Sequence, residues 1–413
     1  MSVLEQIQAL QFSDQAAAAA LLKTFIQETF SLAVETVELR PLAVSLNSFN
    51  GFMTLVDGQR LFFKTHIEAH GVIGEYYNAA ALAEAGYPVL QPILQSTEVG
   101  KQFLVYPVID DPSVFDVAFD IDNGDNARHD DLERAQSQAD EQLLRIYQRT
   151  LAWQRSDDAA AAPIHQLFYH RLMGGRLDQF YGGGTAIQLD RQHDPISMQQ
   201  VRAVQWTING QTYDDTLNGI IERAVHLLQP SQAGPAIVGH GDAHNGNVFL
   251  QGSGQTARLL YFDPAFAGRH DPLLDLTKPL FHNVFAAWMY HPDAVAARLR
   301  IALDDQGERW IVTHDYPHHP VRAMFLRSKI DRVLTPLLGD LQARGWLRAD
   351  WRARLKAALF CCPFLTMNLT DARKFPASIS LLGLALAVEM GAESQGKRSR
   401  IDQILDQVEQ ALG

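Results

Sequence analysis

The chain has 413 residues, 47% hydrophobic and 20% charged, with a formal net charge of -12. That length buries a large core and suits two or three packed units, while the acidic balance disfavours nucleic acid as a partner. No run of about 18 uncharged apolar residues predicts a membrane span, and MSVLEQIQALQFSDQ lacks the basic-then-apolar order of a signal peptide. The two cysteines, Cys361 and Cys362, are adjacent and read as reduced core thiols. The expected location is cytoplasmic.

Residues 1–30 predict helix, with the alanine run Ala16–Ala20 followed by Leu21, Leu22, Phe25 and Ile26 on one buried face. Residues 35–64 predict strands, with Asp57-Gly58 as a hairpin turn between apolar runs. A helix over 72–86 stops at Gly86, with Pro88 beyond. Short strands are expected at Val89–Leu94 and Gln102–Val108. From Asp110 to Glu141 acids crowd the chain, which reads as a solvated segment or as a lure for a cationic substrate. Helix is expected over 139–154, loop over 181–187, a hairpin at 204–213 around Asn209-Gly210, and helix over 214–228. Beyond residue 283 the pattern predicts helix to the end, broken only at His314–Pro320. The class is α+β: a strand-rich unit over residues 1–107 and a larger, mainly helical unit over 108–413.

The segment Val238–Leu250, VGHGDAHNGNVFL, carries the candidate chemistry, with LLYFDPAFAGRHDPLLDL following at 259–276. Phosphoryl transfer needs an acceptor hydroxyl to be oriented, a place for its proton, and hard oxygen ligands for magnesium. Asp242 can accept the proton. Asn247, five residues on, and Asp263, at the end of an apolar strand, can offer oxygens to metal. Protein kinases use an Asp, an Asn five positions later and a metal-binding Asp after the next strand.

HGDAHNGN resembles the HGDxHxxN signature of the aminoglycoside phosphotransferase and choline kinase-like superfamily, whose fold is two-lobed and protein-kinase-like. The resemblance implies an ATP- and Mg²⁺-dependent kinase of a small-molecule hydroxyl: an amino sugar, a sugar, an amino alcohol or a hydroxy amino acid. It sets His240 at the head of the motif as a supporting residue. RHDPLLDL resembles the family's GDPxxDL, with His270 where the family has Gly, and implies that Asp275 is a structural acid supporting the catalytic loop. SLNSFNG looks like a degenerate nucleotide loop, giving Ser48, Asn50 and Gly51 as phosphate contacts. Phe103–Asp111 falls where the family has its hinge, giving Pro107 and Ile109 backbone groups for adenine.

In the N-terminal unit, alternation puts Phe62 and Lys64 on one strand face. Lys64 can reach nucleotide phosphates if a carboxylate fixes it, and Glu75 on the following helix is the chosen partner. No GxxxxGK[ST] sequence is present, which excludes a P-loop NTPase. Acceptor recognition is least transferable: Arg171 and Arg176, in FYHRLMGGRLDQFYGGG, can hold a carboxylate or phosphate. His314, His318 and His319 with Asp315 make an incomplete metal set. Two alternatives remain, a kinase of a macromolecule and a non-catalytic nucleotide-binding module. The first lacks an anchored activation segment between Asp263 and Asp275, and the second fits poorly with Lys64, Asp242, Asn247 and Asp263 all in place.

Overall fold

The computed structural model describes residues 2–40, 49–65, 74–96, 98, 100–189 and 194–413, except for the side chains of residues 74–77. The chain divides into two compact units, Met1–Glu84 with Pro88–Asp111, and Ala85–Tyr87 with Pro112–Gly413.

In the first unit the expected single N-terminal helix is two, Val3–Leu10 and Gln15–Phe30. The break has a local cause: the Asp14 side chain caps the second helix by accepting from Ala17 N–H. Five described strands form an antiparallel sheet: β1 (Val34–Leu39), β2 (Asn50–Leu55), β3 (Arg60–Thr65), β4 (Leu94–Ser96) and β5 (Phe103–Pro107), in the order β1-β2-β3-β5-β4. The strand expected at Val89–Leu94 therefore starts five residues later. Leu61, Phe63 and Thr65 face the core, and Phe63 stacks on Phe103, itself packed on Phe25 and Phe30. Asp57-Gly58 makes the β2–β3 turn, with Gly58 at a φ of 86°.

The second unit is mostly helical. Its centre is the buried pair Trp351–Leu365 and Ala377–Gly391, the first packed on Pro272–His282. Cys361 and Cys362 lie there, free and buried. The helix expected over 139–154 runs from His129 to Thr150. Beyond residue 283 the chain is not helical throughout: Ile301–Asp305 and Arg309–His314 form a hairpin, and the second strand pairs in parallel with Gln205–Ile208. The alternation in RWIVTH explains it, since Trp310 and Val312 turn inward and Trp310 meets the buried Trp206 ring 5.1 Å away. Asn209-Gly210 does make the expected turn. Among the described residues no helix is long and apolar enough to cross a membrane.

Candidate active site

The candidate catalytic segment is built outward from one strand. Gly234–Gly239 pairs with Gly268–His270 and hands the chain to His240-Gly241-Asp242. A side chain at Gly239 would come within 2.5 Å of the Asp275 carboxyl, so that carboxyl lies against the strand. Gly241 has a φ of 80°, and a Cβ there would meet the Phe266 carbonyl oxygen at 2.4 Å. The Gly of the motif thus serves both a left-handed turn and a close backbone approach.

Asp275 is buried on the helix Pro272–His282 and gathers three donors. Gly241 N–H donates to its Oδ1 at 2.6 Å, His270 Nε2 lies 2.9 Å from the same oxygen, and the Tyr147 hydroxyl donates to Oδ2. Burial pushes this carboxyl up, but the His270 bond and charge, Tyr147 and Gly241 N–H bring it below its ordinary value. His270, where the signature it resembles has Gly, therefore bonds the Asp275 carboxyl. Asp271 caps the helix through Leu273 N–H and pairs with Arg354 at 2.7 Å.

His240 ties the two acidic loops together. Its Nε2 lies 3.0 Å from the Phe262 carbonyl oxygen, which can only accept, so that nitrogen carries the proton. Burial holds the imidazole below its ordinary value and so neutral, leaving Nδ1 to accept from Asp242 N–H at 3.4 Å. Phe262 N–H in turn donates to the Asn247 carbonyl at 3.0 Å. Asp263 follows directly, at a φ of 54° that a non-glycine residue adopts at a cost.

Around Asp242 the groups are cationic or aromatic. Asp242 Oδ1 is buried with no hydrogen-bond partner among the described residues, 3.6 Å from Lys278 Nζ and 3.9 Å from His244 Nε2. Burial pushes the carboxyl up, and the Lys278 and Arg171 charges more than offset it, holding Asp242 below the usual carboxylate range. Lys278 is held in turn by His282 at 3.3 Å, and His282 by the Tyr290 hydroxyl at 2.8 Å. Asn247 Nδ2 donates to the Asp242 carbonyl at 2.9 Å, which makes Oδ1 the end of the amide available to a cation. Asn283 Oδ1 fixes the loop from below by accepting Asn245 N–H at 2.8 Å.

Sequence reasoning missed Lys278, His282 and Tyr147. A lysine in the otherwise apolar helix LLDLTKPLF was the available signal, since a buried lysine needs a partner. Among the described residues no cluster of three or more His, Cys, Asp or Glu is placed to hold a metal. His314 instead lies against Asn209, and Asp315 pairs with Arg300. The glycines 182–184 lead into a strand, Ala186–Ile187, so no helix N-terminus follows them.

In the N-terminal unit Lys64 is on β3 opposite Asn50 of β2 and Leu104 of β5. Ser48 lies outside the described residues, as does the Glu75 side chain, whose backbone belongs to the helix Gly74–Glu84. Asn50 and Gly51 are not loop residues, as expected from SLNSFNG, but the first two of β2, and Gly51 pairs with Leu39 on one side and Phe63 on the other. A Cβ at Gly51 would meet the Glu38 carbonyl oxygen at 2.0 Å, which accounts for that glycine by strand packing. Pro107 ends β5 opposite Leu61, and Ile109 lies just after it, half-buried.

No family model and no curated protein matches the chain. Solved structures do. An amicoumacin kinase in complex with AMP-PNP and Ca²⁺ is 13% identical over 94% of this chain and 95% of its own, with a TM-score of 0.48. A thermostable aminoglycoside phosphotransferase with AMP-PNP and hygromycin B is 10% identical over 91% and 99%, with a TM-score of 0.46. An ethanolamine kinase of Plasmodium vivax is 8% identical over 96% and 89%, with a TM-score of 0.44. The structures to which this chain is similar are thus phosphotransferases and kinases of small molecules.

Proposed function

We propose that this chain is an ATP-dependent kinase of a small-molecule hydroxyl. The observation that carries the reading is the Asp242 carboxylate: half-buried, paired with Lys278, its buried Oδ1 unclaimed, on a loop whose Asn247 is hooked to its backbone. The acceptor oxygen forms a bond to the γ-phosphorus of ATP as the bond from that phosphorus to the β–γ bridging oxygen breaks. The acceptor proton passes to Asp242, and ADP leaves. Asp275 holds the Gly241 N–H before Asp242 and Asn247 holds the Asp242 carbonyl after it, so the position of Asp242 is set before substrate binds.

Asn247 and Asp263 are the residues that would hold Mg²⁺. Their oxygens are the hard donors it prefers, and the amide is oriented with its oxygen available. When bound, the ion neutralises phosphate charge. Lys64, with Glu75, is assigned to the ATP phosphates, and Pro107 and Ile109 to adenine.

The test is Mg·ATP consumption against a panel of aminoglycosides, sugars, amino alcohols and hydroxy acids, with Asp242→Ala alongside. We expect at least one acceptor to be phosphorylated, and the variant to lose about three or more orders of magnitude in kcat while binding Mg·ATP nearly as well. Wild-type turnover in Asp242→Ala would sink the assigned base.

A further inference from the structure

Arg171 is unexplained by the chemistry above. It sits on the short helix Tyr169–Leu172, which packs on Trp351–Leu365, the helix that also carries the wall behind Lys278 and His282. Its Nη1 is buried and has no hydrogen-bond partner among the described residues. The neighbouring Arg176 is differently placed, because its Nη1 donates to the carbonyls of Leu365 and Thr366 at 3.2 and 2.7 Å and so ends that helix. A buried guanidinium nitrogen left without an acceptor is costly, and a ligand that supplies one recovers the loss.

Charge sets the sign of that ligand. Lys278, 3.6 Å from Asp242, is the cation paired with that carboxylate, and Arg171 adds a second positive charge to the same field. Burial, and then Arg176, lower the Arg171 guanidinium to about 10, which leaves it charged at neutral pH. The segment Phe168–Gly184 has one carboxylate, Asp178, which stands in the field of Arg202. Three acids of the stretch 110–141 already have cationic partners. Asp122 is buried against Arg322, Asp140 against Lys329 and Ser328, and Asp131 pairs with Arg128.

We infer that the acceptor carries an anionic substituent, a carboxylate or a phosphate, which Arg171 receives through its unclaimed Nη1 so that the neighbouring hydroxyl meets Asp242. The inference rests on the kinase reading and narrows it. Arg suits the task because its planar fork matches both oxyanions.

The test uses matched acceptors with Mg·ATP: hydroxy acids against their amides, sugar phosphates against the parent sugars, and amino alcohols as the cationic arm. ADP release gives rates, and ³¹P NMR identifies product. Wild type is expected to favour the anionic member of one pair by roughly 10- to 100-fold in kcat/KM. Which pair responds separates carboxylate from phosphate. Arg171→Gln should abolish that preference, chiefly through KM, and Arg171→Lys should restore part of it. The preference ratio is the readout that a merely structural arginine would leave alone, and thermal melts check that both variants fold. Should Arg171→Gln fail to fold, the ratio in Arg171→Lys decides.

A neutral or cationic acceptor preferred by wild type overturns the inference, as does a ratio unchanged in the variants. If such an acceptor is phosphorylated by wild type and not by Asp242→Ala, the kinase reading stands while the inference falls. Retained Mg·ATP binding with transfer to no anionic acceptor also overturns the inference alone. Loss of both transfer and Mg·ATP binding in wild type overturns the two together.

Discussion

Asp275→Ala tests whether the supporting carboxylate holds the catalytic loop. The change strands Gly241 N–H, His270 Nε2 and the Tyr147 hydroxyl, all buried and all aimed at the lost oxygens. Each orphaned group costs about 1–3 kcal/mol, and they share any relaxation, so the sum is not additive. Removing one partner from a buried charged cluster typically costs about 3–5 kcal/mol, and about 4 kcal/mol is the expected loss here. At an unfolding entropy of about 2.1 cal/mol/K per residue, the roughly 300 residues of the second unit shift by about 1.5 °C per kcal/mol, so the melting temperature should fall by about 6 °C. All six tryptophans, from Trp153 to Trp351, belong to the second unit, so their fluorescence reports the unfolding of the unit that contains the site. The pH dependence supplies an internal check. Because the folded carboxyl lies below its ordinary value, its stabilisation is present above the unfolded value of about 3.9 and is lost as pH falls through the folded one. The gap between wild type and variant should therefore be full at pH 7 and narrow below about pH 4. An Asp275→Ala protein that melts within about 1 kcal/mol of wild type would refute the account.

Two further outcomes follow from buried charges elsewhere. Lys278→Met removes a cation 3.6 Å from Asp242 Oδ1, an interaction of about 4–5 kcal/mol at an effective dielectric of about 20. With burial then less opposed, the Asp242 carboxyl should rise, and the acid limb of the kcat profile should move toward neutral pH; an unmoved limb counts against the pairing. Burial pushes the Glu389 carboxyl up to about 7, so the folded chain binds the proton more tightly than the unfolded one, and stability falls as pH rises from about 4.3 through 7. Glu389→Gln should flatten that decline and melt higher than wild type at pH 8, by up to about 3 kcal/mol; equal slopes in the two proteins would refute the assignment.

The candidate catalytic segment stood out in the sequence because its residues are local. Asp242, Asn247 and Asp263 fall within 22 residues, and the hydrogen bonds that gather them run between the same two loops. Lys278 was not, because what makes it matter is a meeting of helix and loop that no spacing encodes. Tyr147 reaches Asp275 from 128 residues away and carries no signal in its own helix beyond an apolar face. Gly51 was placed in a loop for the opposite reason. A glycine in a polar stretch reads as loop chemistry, whereas its constraint is a carbonyl oxygen on the neighbouring strand. The hairpin Ile301–His314 was read as helix because short apolar runs fit either period, and only its parallel partner at Gln205–Ile208 decides between them.

The left-handed backbone of Asp263 has a consequence for any attempt to harden this protein. Glycine would occupy that conformation at about 1 kcal/mol less than aspartate. A selection that rewards heat resistance alone would favour Asp263→Gly wherever that relief outweighs the contacts of the aspartate, and would discard the carboxylate with the strain. Directed evolution of this chain for robustness needs a functional screen running beside the thermal one, because the metal role proposed for Asp263 requires the carboxylate that relief of backbone strain removes.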